Sequence, residues 1–187
     1  MIPCRMLRHS SFGFPGVELL LERQGLPTAW GAASQVVGAR DGSPIGYRAL
    51  DMLRLEAGIP WFGVDFDEHH IPQEAGIGAS HLSFTKGCYT GQEIVERVRS
   101  RGHVNWQLTG LLFDSTKAPK QGTPVLASDG KEAGHVTSAA FAPLAGKATG
   151  MAYLRREYQQ PGTKLQCGNT AAQVMEIPLH AALEVRH

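Results

Sequence analysis

The run Lys86-Gly87-Cys88-Tyr89-Thr90-Gly91-Gln92-Glu93 holds the densest chemistry in the chain. Two glycines flank a cysteine just ahead of a segment with helical periodicity. Glycine lets a backbone adopt conformations closed to other residues and approach a ligand closely. Thr90 and Glu93 have capping-box spacing, which predicts Thr90 as the cap of a helix running to about Arg99. The first-turn amides and the dipole of such a helix favour negative charge. Cys88, two residues ahead of that cap and close to Lys86, is therefore expected to favour the thiolate. The plainer alternative is a small buried cysteine in a tight turn. No second cysteine or nearby histidine completes a catalytic pair in sequence. Phosphate-loop and dinucleotide fingerprints are also missing from the sequence.

Two further clusters carry polar groups. His69-His70 sits beside Asp65, Asp67 and Glu68, without the helical i,i+4 spacing of H-E-x-x-H, so no metal site is expected. Arg48, Asp51 and Arg54 recur at intervals of three, which on a helix predicts a solvated face with weak ion pairs.

The elements that must position these groups follow from periodicity. Residues 16–22 read as a half-buried strand, with Glu18 among Val17, Leu19, Leu20 and Leu21. Pro27 introduces a helix over 28–39, broken at Asp41-Gly42. Ser43-Pro44 reads as the cap and first residue of a second helix, which runs to about Ala57 and stops at Gly58. Residues 61–77 are loop-rich. At Val104 the period switches from 3.6 to two: Val104, Trp106 and Leu108 alternate with Asn105, Gln107 and Thr109. Asp129-Gly130 marks a hairpin, and further strands are predicted at 147–154, 164–167 and 170–177. The fold class is α+β: a mixed α/β region over 1–103, then an all-β barrel or sandwich of about six strands over 104–187.

Composition narrows the partners. Lys+Arg number 18 against 17 Asp+Glu, a formal charge of +1, which excludes a strongly basic nucleic-acid binder. Hydrophobic residues at 42% with charged residues at 19% support a packed core. No apolar run approaches the ~18–20 residues of a membrane span. Met1-Ile2-Pro3-Cys4-Arg5 lacks the pattern of a signal peptide. Three widely separated cysteines, Cys4, Cys88 and Cys167, lead to the expectation of a reduced, cytoplasmic protein.

The 86–93 run resembles the K-G-C-Y-x-G-Q-E signature of the YgfZ group of folate-binding proteins. The stretch from Leu53-Arg54-Leu55-Glu56-Ala57-Gly58 through Gly63, Asp65 and Pro72 to Glu74-Ala75-Gly76 is similar to the R-x-E-x-G…G-x-D…P-x-E-x-G series shared by YgfZ and the glycine-cleavage T protein. Residues 13–18 resemble the G-x-x-G-x-E strand of T-protein-like members. This resemblance implies a folate-binding α/β region and a C-terminal antiparallel β-barrel arranged around a central funnel. It implies tetrahydrofolate, or a one-carbon derivative, as cofactor. In that arrangement Glu18 holds the pterin, whose edge offers adjacent N–H donors to a carboxylate. Arg54 faces the anionic tail, Cys88 is the functional thiol, and Lys86, Gln92 and Glu93 shape its loop. Family members are longer, so the resemblance also implies a missing N-terminal part carrying much of the funnel and the T protein's essential aspartate. The leading functional expectation is a YgfZ-like protein supporting iron–sulfur cluster assembly or repair and tRNA modification. Its partners would be iron–sulfur client proteins, with no direct nucleic-acid or membrane contact. The alternatives are a T-protein-like aminomethyltransferase served by a lipoyl carrier protein, and a non-enzymatic interaction module.

Overall fold

The computed structural model describes residues 3–9, 12–77 and 81–178. The chain divides into two compact units, Met1–Leu53 and Arg54–His187.

The first unit begins with an antiparallel hairpin of β1 (Cys4–His9) and β2 (Gly16–Leu21). Strand β1 is not expected from the sequence. Arg5 and Arg8 interrupt any clean two-residue alternation, and pairing with β2 is what draws this segment into a sheet. Residues directly opposite share a face, so Val17, Leu19 and Leu21 lie with Arg8, Met6 and Cys4, while Glu18 and Leu20 lie with Leu7 and Arg5. A single 3-10 turn leads into α1 (Leu26–Gly38), with Pro27 in the first turn, where a missing N–H leaves no bond unmade. The helix ends at Gly38, and the expected break follows at Asp41-Gly42. Asp41 takes a left-handed φ of 58°, and the Gly42 N–H donates to Val37 O at 2.9 Å.

Helix α2 (Tyr47–Glu56) straddles the division. It starts later than the Ser43-Pro44 signal predicts. Gly46 O accepts from the Ala49 and Leu50 N–H groups, so the first helical acceptor lies beyond Pro44 and residues 43–46 stay outside the helix. Arg54, Leu55 and Glu56 at its end are buried.

The second unit carries α3 (Gln92–Arg101) and six strands. These are β3 (Trp106–Phe113), β4 (Pro124–Leu126), β5 (Glu132–Ala142), β6 (Lys147–Arg155), β7 (Lys164–Cys167) and β8 (Thr170–Met175). They close into an antiparallel barrel in the order β3-β6-β5-β4-β7-β8, so the all-β region is a barrel and not a sandwich. Closure leaves no edge strand in the barrel. Its interior is filled by Leu111, Phe113, Val125, Val136, Leu154 and Val174. The strands approach closely at Gly134, where an added Cβ would lie 1.8 Å from Tyr153 O. A second apolar cluster joins Leu55 of α2 to Leu108, Met151 and Tyr153 on the barrel.

The switch to strands falls at Trp106, two residues after Val104. The compact units divide at Leu53/Arg54, and the segment between that division and β3 is bonded to the barrel. Leu108 N–H donates to Glu74 O at 2.7 Å, and Leu144 N–H to Glu56 Oε1 at 3.0 Å. No helix among the described residues is long and apolar enough to cross a membrane.

Candidate functional site

The Cys88 loop enters α3 differently from the capping-box expectation. Gly91, not Thr90, is the cap, with φ of 86° and no side-chain cap bond. That left-handed turn is natural to glycine and places the first helical residue at Gln92. Glu93 does not reach back; it pairs forward with Arg97 at 2.9 Å. Cys88 is exposed and lies three residues ahead of the true cap, farther from the first-turn amides than the sequence predicts. The Lys86 ammonium sits 4.5 Å over the Tyr89 ring, a cation–π contact. Of the other thiols, Cys4 is exposed on β1 and Cys167 is buried in the barrel, where burial pushes its pKa up.

This loop borders a cavity of about 320 Å³ faced by His70, His81, Lys86, Tyr89 and Gly91, among others. Cys88, Gln92 and Glu93 do not line it. His70 Nδ1 is 2.8 Å from Asp67 Oδ1, and its ring stacks on Tyr153 with centroids 4.6 Å apart. The Asp67 carboxyl is held below its ordinary pKa chiefly by the His69 N–H, with His70 adding to the effect. The Tyr153 hydroxyl is pushed upward by burial, reinforced by the charges of Glu74, Asp65 and Asp67. The His69-His70 segment thus forms an Asp67–His70 pair, while Asp65 is engaged elsewhere.

Asp65 is the centre of a buried network. Its Oδ2 accepts from Arg54 at 2.5 Å and from the Trp61 N–H at 2.9 Å. Its Oδ1 accepts from the hydroxyls of Thr137 at 2.6 Å and Ser138 at 2.5 Å. Four donors match the roughly four lone-pair sites of a carboxylate. Two adjacent residues of one strand normally point to opposite faces. Here the β5–β6 register shifts between Val136 and Ser138, and the bulge turns both hydroxyls to the same carboxylate. Arg54 also donates to Ile59 O at 3.2 Å and lies 4.6 Å over the Trp61 ring.

This corrects one expectation for Arg54: it is 1% exposed and paired with Asp65, so it is not part of a solvated face. Asp65 was visible only as a motif position; Thr137 and Ser138, more than 70 residues downstream, carried no signal at all. Glu18, by contrast, is exposed on β2, opposite Leu7, on the face turned away from the side where Val17, Leu19 and Leu21 meet α1. The structure therefore brings Lys86 to Tyr89, Glu93 to Arg97 and Arg54 to Asp65, and leaves Cys88 and Glu18 facing outward.

A closed six-stranded antiparallel barrel preceded by helices and a hairpin defines the class as α+β with a C-terminal barrel. Residues 1–81 match the GCVT N-terminal domain, and residues 107–179 match the glycine cleavage T-protein C-terminal barrel domain. It is 30% identical over 161 residues to an aminomethyltransferase of Corynebacterium jeikeium (strain K411), covering 86% of this chain and 41% of that protein. It is 35% identical over 150 residues to an aminomethyltransferase of Xylella fastidiosa (strain M23), covering 80% and 39% respectively. The crystal structure of glycine cleavage system aminomethyltransferase T from Bartonella henselae superposes with a TM-score of 0.80 at 23% identity, over 93% of this chain and 49% of that one. The chain spans about two fifths of the length of these curated relatives.

Proposed function

We propose that this chain is a tetrahydrofolate-binding part of a T-protein-like system that transfers one-carbon units, with aminomethyl transfer as the reaction class. The observation that carries this reading is the succession of two matched T-protein domains in one chain, residues 1–81 and 107–179. Relatives named as aminomethyltransferases support it. Glu18 fits the ligand: it is an exposed carboxylate on a regular strand, and the adjacent N–H donors of a pterin suit a two-oxygen acceptor. Arg54 does not fit, being buried against Asp65; its role is to hold residues 54–65 on the barrel.

Titration of the ¹⁵N-labelled chain with tetrahydrofolate tests the reading. The amides of β2 around Glu18 should shift, and Glu18→Gln, which puts a donor where an acceptor is needed, should abolish those shifts. Shifts that avoid β2, or that persist in Glu18→Gln, would overturn it.

A second reading rests on Cys88. Its exposure on the 86–93 run supports the YgfZ-like role in iron–sulfur maintenance, with the thiol as the working group. On that reading Cys88→Ser in the full-length protein lowers the activity of iron–sulfur tRNA-modifying enzymes in cells while tetrahydrofolate binding stays intact. Unchanged client activity would remove it.

A further inference from the structure

Where the end of α3 meets the start of β3 and the 3-10 turn Arg156–Tyr158, the second unit holds a cavity of about 400 Å³. Cavities that take small molecules run from about 300 to 1,000 Å³. It shares no lining residue with the cavity at His70 and Tyr89. Three basic side chains line it, Arg99, His103 and Arg156, and among the described residues no carboxylate does. Glu96 reaches Arg99 at 3.4 Å on the helix surface. Arg156 and His103 form no ion pair among the described residues. Cations close to a helix C-terminus offset its dipole, which accounts for Arg99 and His103 near the end of α3. Arg156 comes from another element and has no such account. Gln73 supplies a second observation. Its Nε2 donates to Val95 O at 3.3 Å, which fixes the amide and leaves Oε1 as the free end. That Oε1 is buried and has no hydrogen-bond partner. A buried acceptor left unmet is costly, and a donor brought by a ligand removes the cost.

Guanidinium groups match phosphate oxygens with paired N–H donors. Phe84, Val98 and Val104 give the same cavity an apolar wall, with the Arg99 guanidinium 4.6 Å over the Phe84 ring. A dianion for the arginines, an N–H donor for Gln73 and an apolar ring for the wall are together the chemistry of a nucleotide. We propose that this cavity is a binding site for a nucleoside 5′-monophosphate. Arg156 holds the phosphate, and Arg99 and His103 add donors to it. The base lies against Val98 and Val104, and one of its N–H groups donates to Gln73 Oε1. The site binds and does no chemistry. Neither Glu18 nor Cys88 lines the cavity, so the proposal stands apart from the folate reading and from the thiol.

The ¹⁵N-labelled chain is titrated with the 5′-monophosphates of adenosine, guanosine, cytidine and uridine. Ribose 5-phosphate and tetrahydrofolate are separate arms. At least one nucleotide should shift the amides of Val98, Gly102, Val104 and Gln107 saturably, and ribose 5-phosphate should bind about tenfold or more weakly than that nucleotide. Arg156→Gln should weaken the nucleotide by about tenfold or more, as expected on losing a charge-assisted pair. Arg156 is exposed, so this variant keeps the fold, and unchanged barrel amides verify it. Gln73→Met, which removes the acceptor, should weaken the nucleotide but not ribose 5-phosphate. The proposal is overturned if none of the four nucleotides shifts these amides saturably at millimolar concentration. It is also overturned if Arg156→Gln binds as the parent does, or if ribose 5-phosphate binds as tightly as every nucleotide. Tetrahydrofolate that shifts the same amides and displaces the nucleotide overturns it too, because the cavity then belongs to the folate site.

Discussion

Arg54 and Asp65 are held in place by each other. Removing the guanidinium leaves a buried carboxylate with only neutral donors, and breaking a buried pair from one side costs about 3–5 kcal/mol. Arg54→Ala or Asp65→Ala should therefore destabilise the second unit by about that amount in chemical denaturation. Arg54→Met combined with Asp65→Leu should cost less than either alanine change, since no lone charge remains buried. A loss that is simply additive would contradict the pairing. The thiols make a second residue-level prediction. Cys88 should be alkylated in the folded protein and Cys167 only after unfolding, because Cys167 is buried and its pKa is raised by that burial. Cys88→Ser should leave stability within about 0.5 kcal/mol of the parent, as expected for an exposed site. The sequence pointed to Arg54 and Cys88 as chemically notable, and the structure separates them: Arg54 is buried against Asp65, and Cys88 is exposed. What the sequence lacked was the acceptor for Arg54. Asp65 lies in an irregular loop with no period to orient it, and the two hydroxyls reach it only through a bulge in a strand far along the chain.

At the scale of elements, the strands were the most legible part. The alternation from Val104 onward pointed to β3, and the Asp129-Gly130 turn to the β4–β5 hairpin, because a half-buried strand writes its two faces into the sequence. Helix starts were less legible. Thr90 with Glu93, and Ser43 with Pro44, are both genuine local signals, yet Gly91 and the Gly46 carbonyl set the actual starts. Local capping chemistry competes with the path the chain must take, and the path wins in both cases. Two glycine substitutions check these elements. Gly91→Ala forces an L side chain into a φ of 86° and should cost about 1 kcal/mol, read as a lowered unfolding midpoint. Gly134→Ala places a methyl against the Tyr153 carbonyl and should cost about 1–3 kcal/mol or more as β5 and β6 are forced apart. Equal and small effects at both positions would show that the barrel strands do not approach as described.

At the scale of the molecule, the two units differ in what holds them. The second has a filled barrel and a buried polar network; the described residues of the first have no buried apolar side chain. Amide exchange in the isolated chain should therefore be slow in β3, β5 and β6 and fast in β1, β2 and α1. Acid should act mainly through carboxylates with lowered pKa. Asp67 is one: held down by the His69 N–H and by His70, it stabilises the fold fully above its unfolded pKa of about 3.9, and that contribution disappears as pH falls through the lower folded value. Asp67→Asn should flatten the fall in stability between about pH 4 and 2 without changing the slope near neutrality.

Glu18 is the residue on which the folate reading turns. Calorimetric titration with tetrahydrofolate tests it most directly, using the parent chain and Glu18→Ala, each with and without the complementary portion of the Xylella fastidiosa protein. Ligand sites need enclosure on most sides, so the chain alone should bind weakly, enough to shift the β2 amides at high ligand concentration. With the complement present, binding should tighten, and Glu18→Ala should weaken it by about tenfold or more, the loss of a charge-assisted hydrogen bond. Micromolar binding by the 187-residue chain that survives Glu18→Ala would contradict the assignment of Glu18.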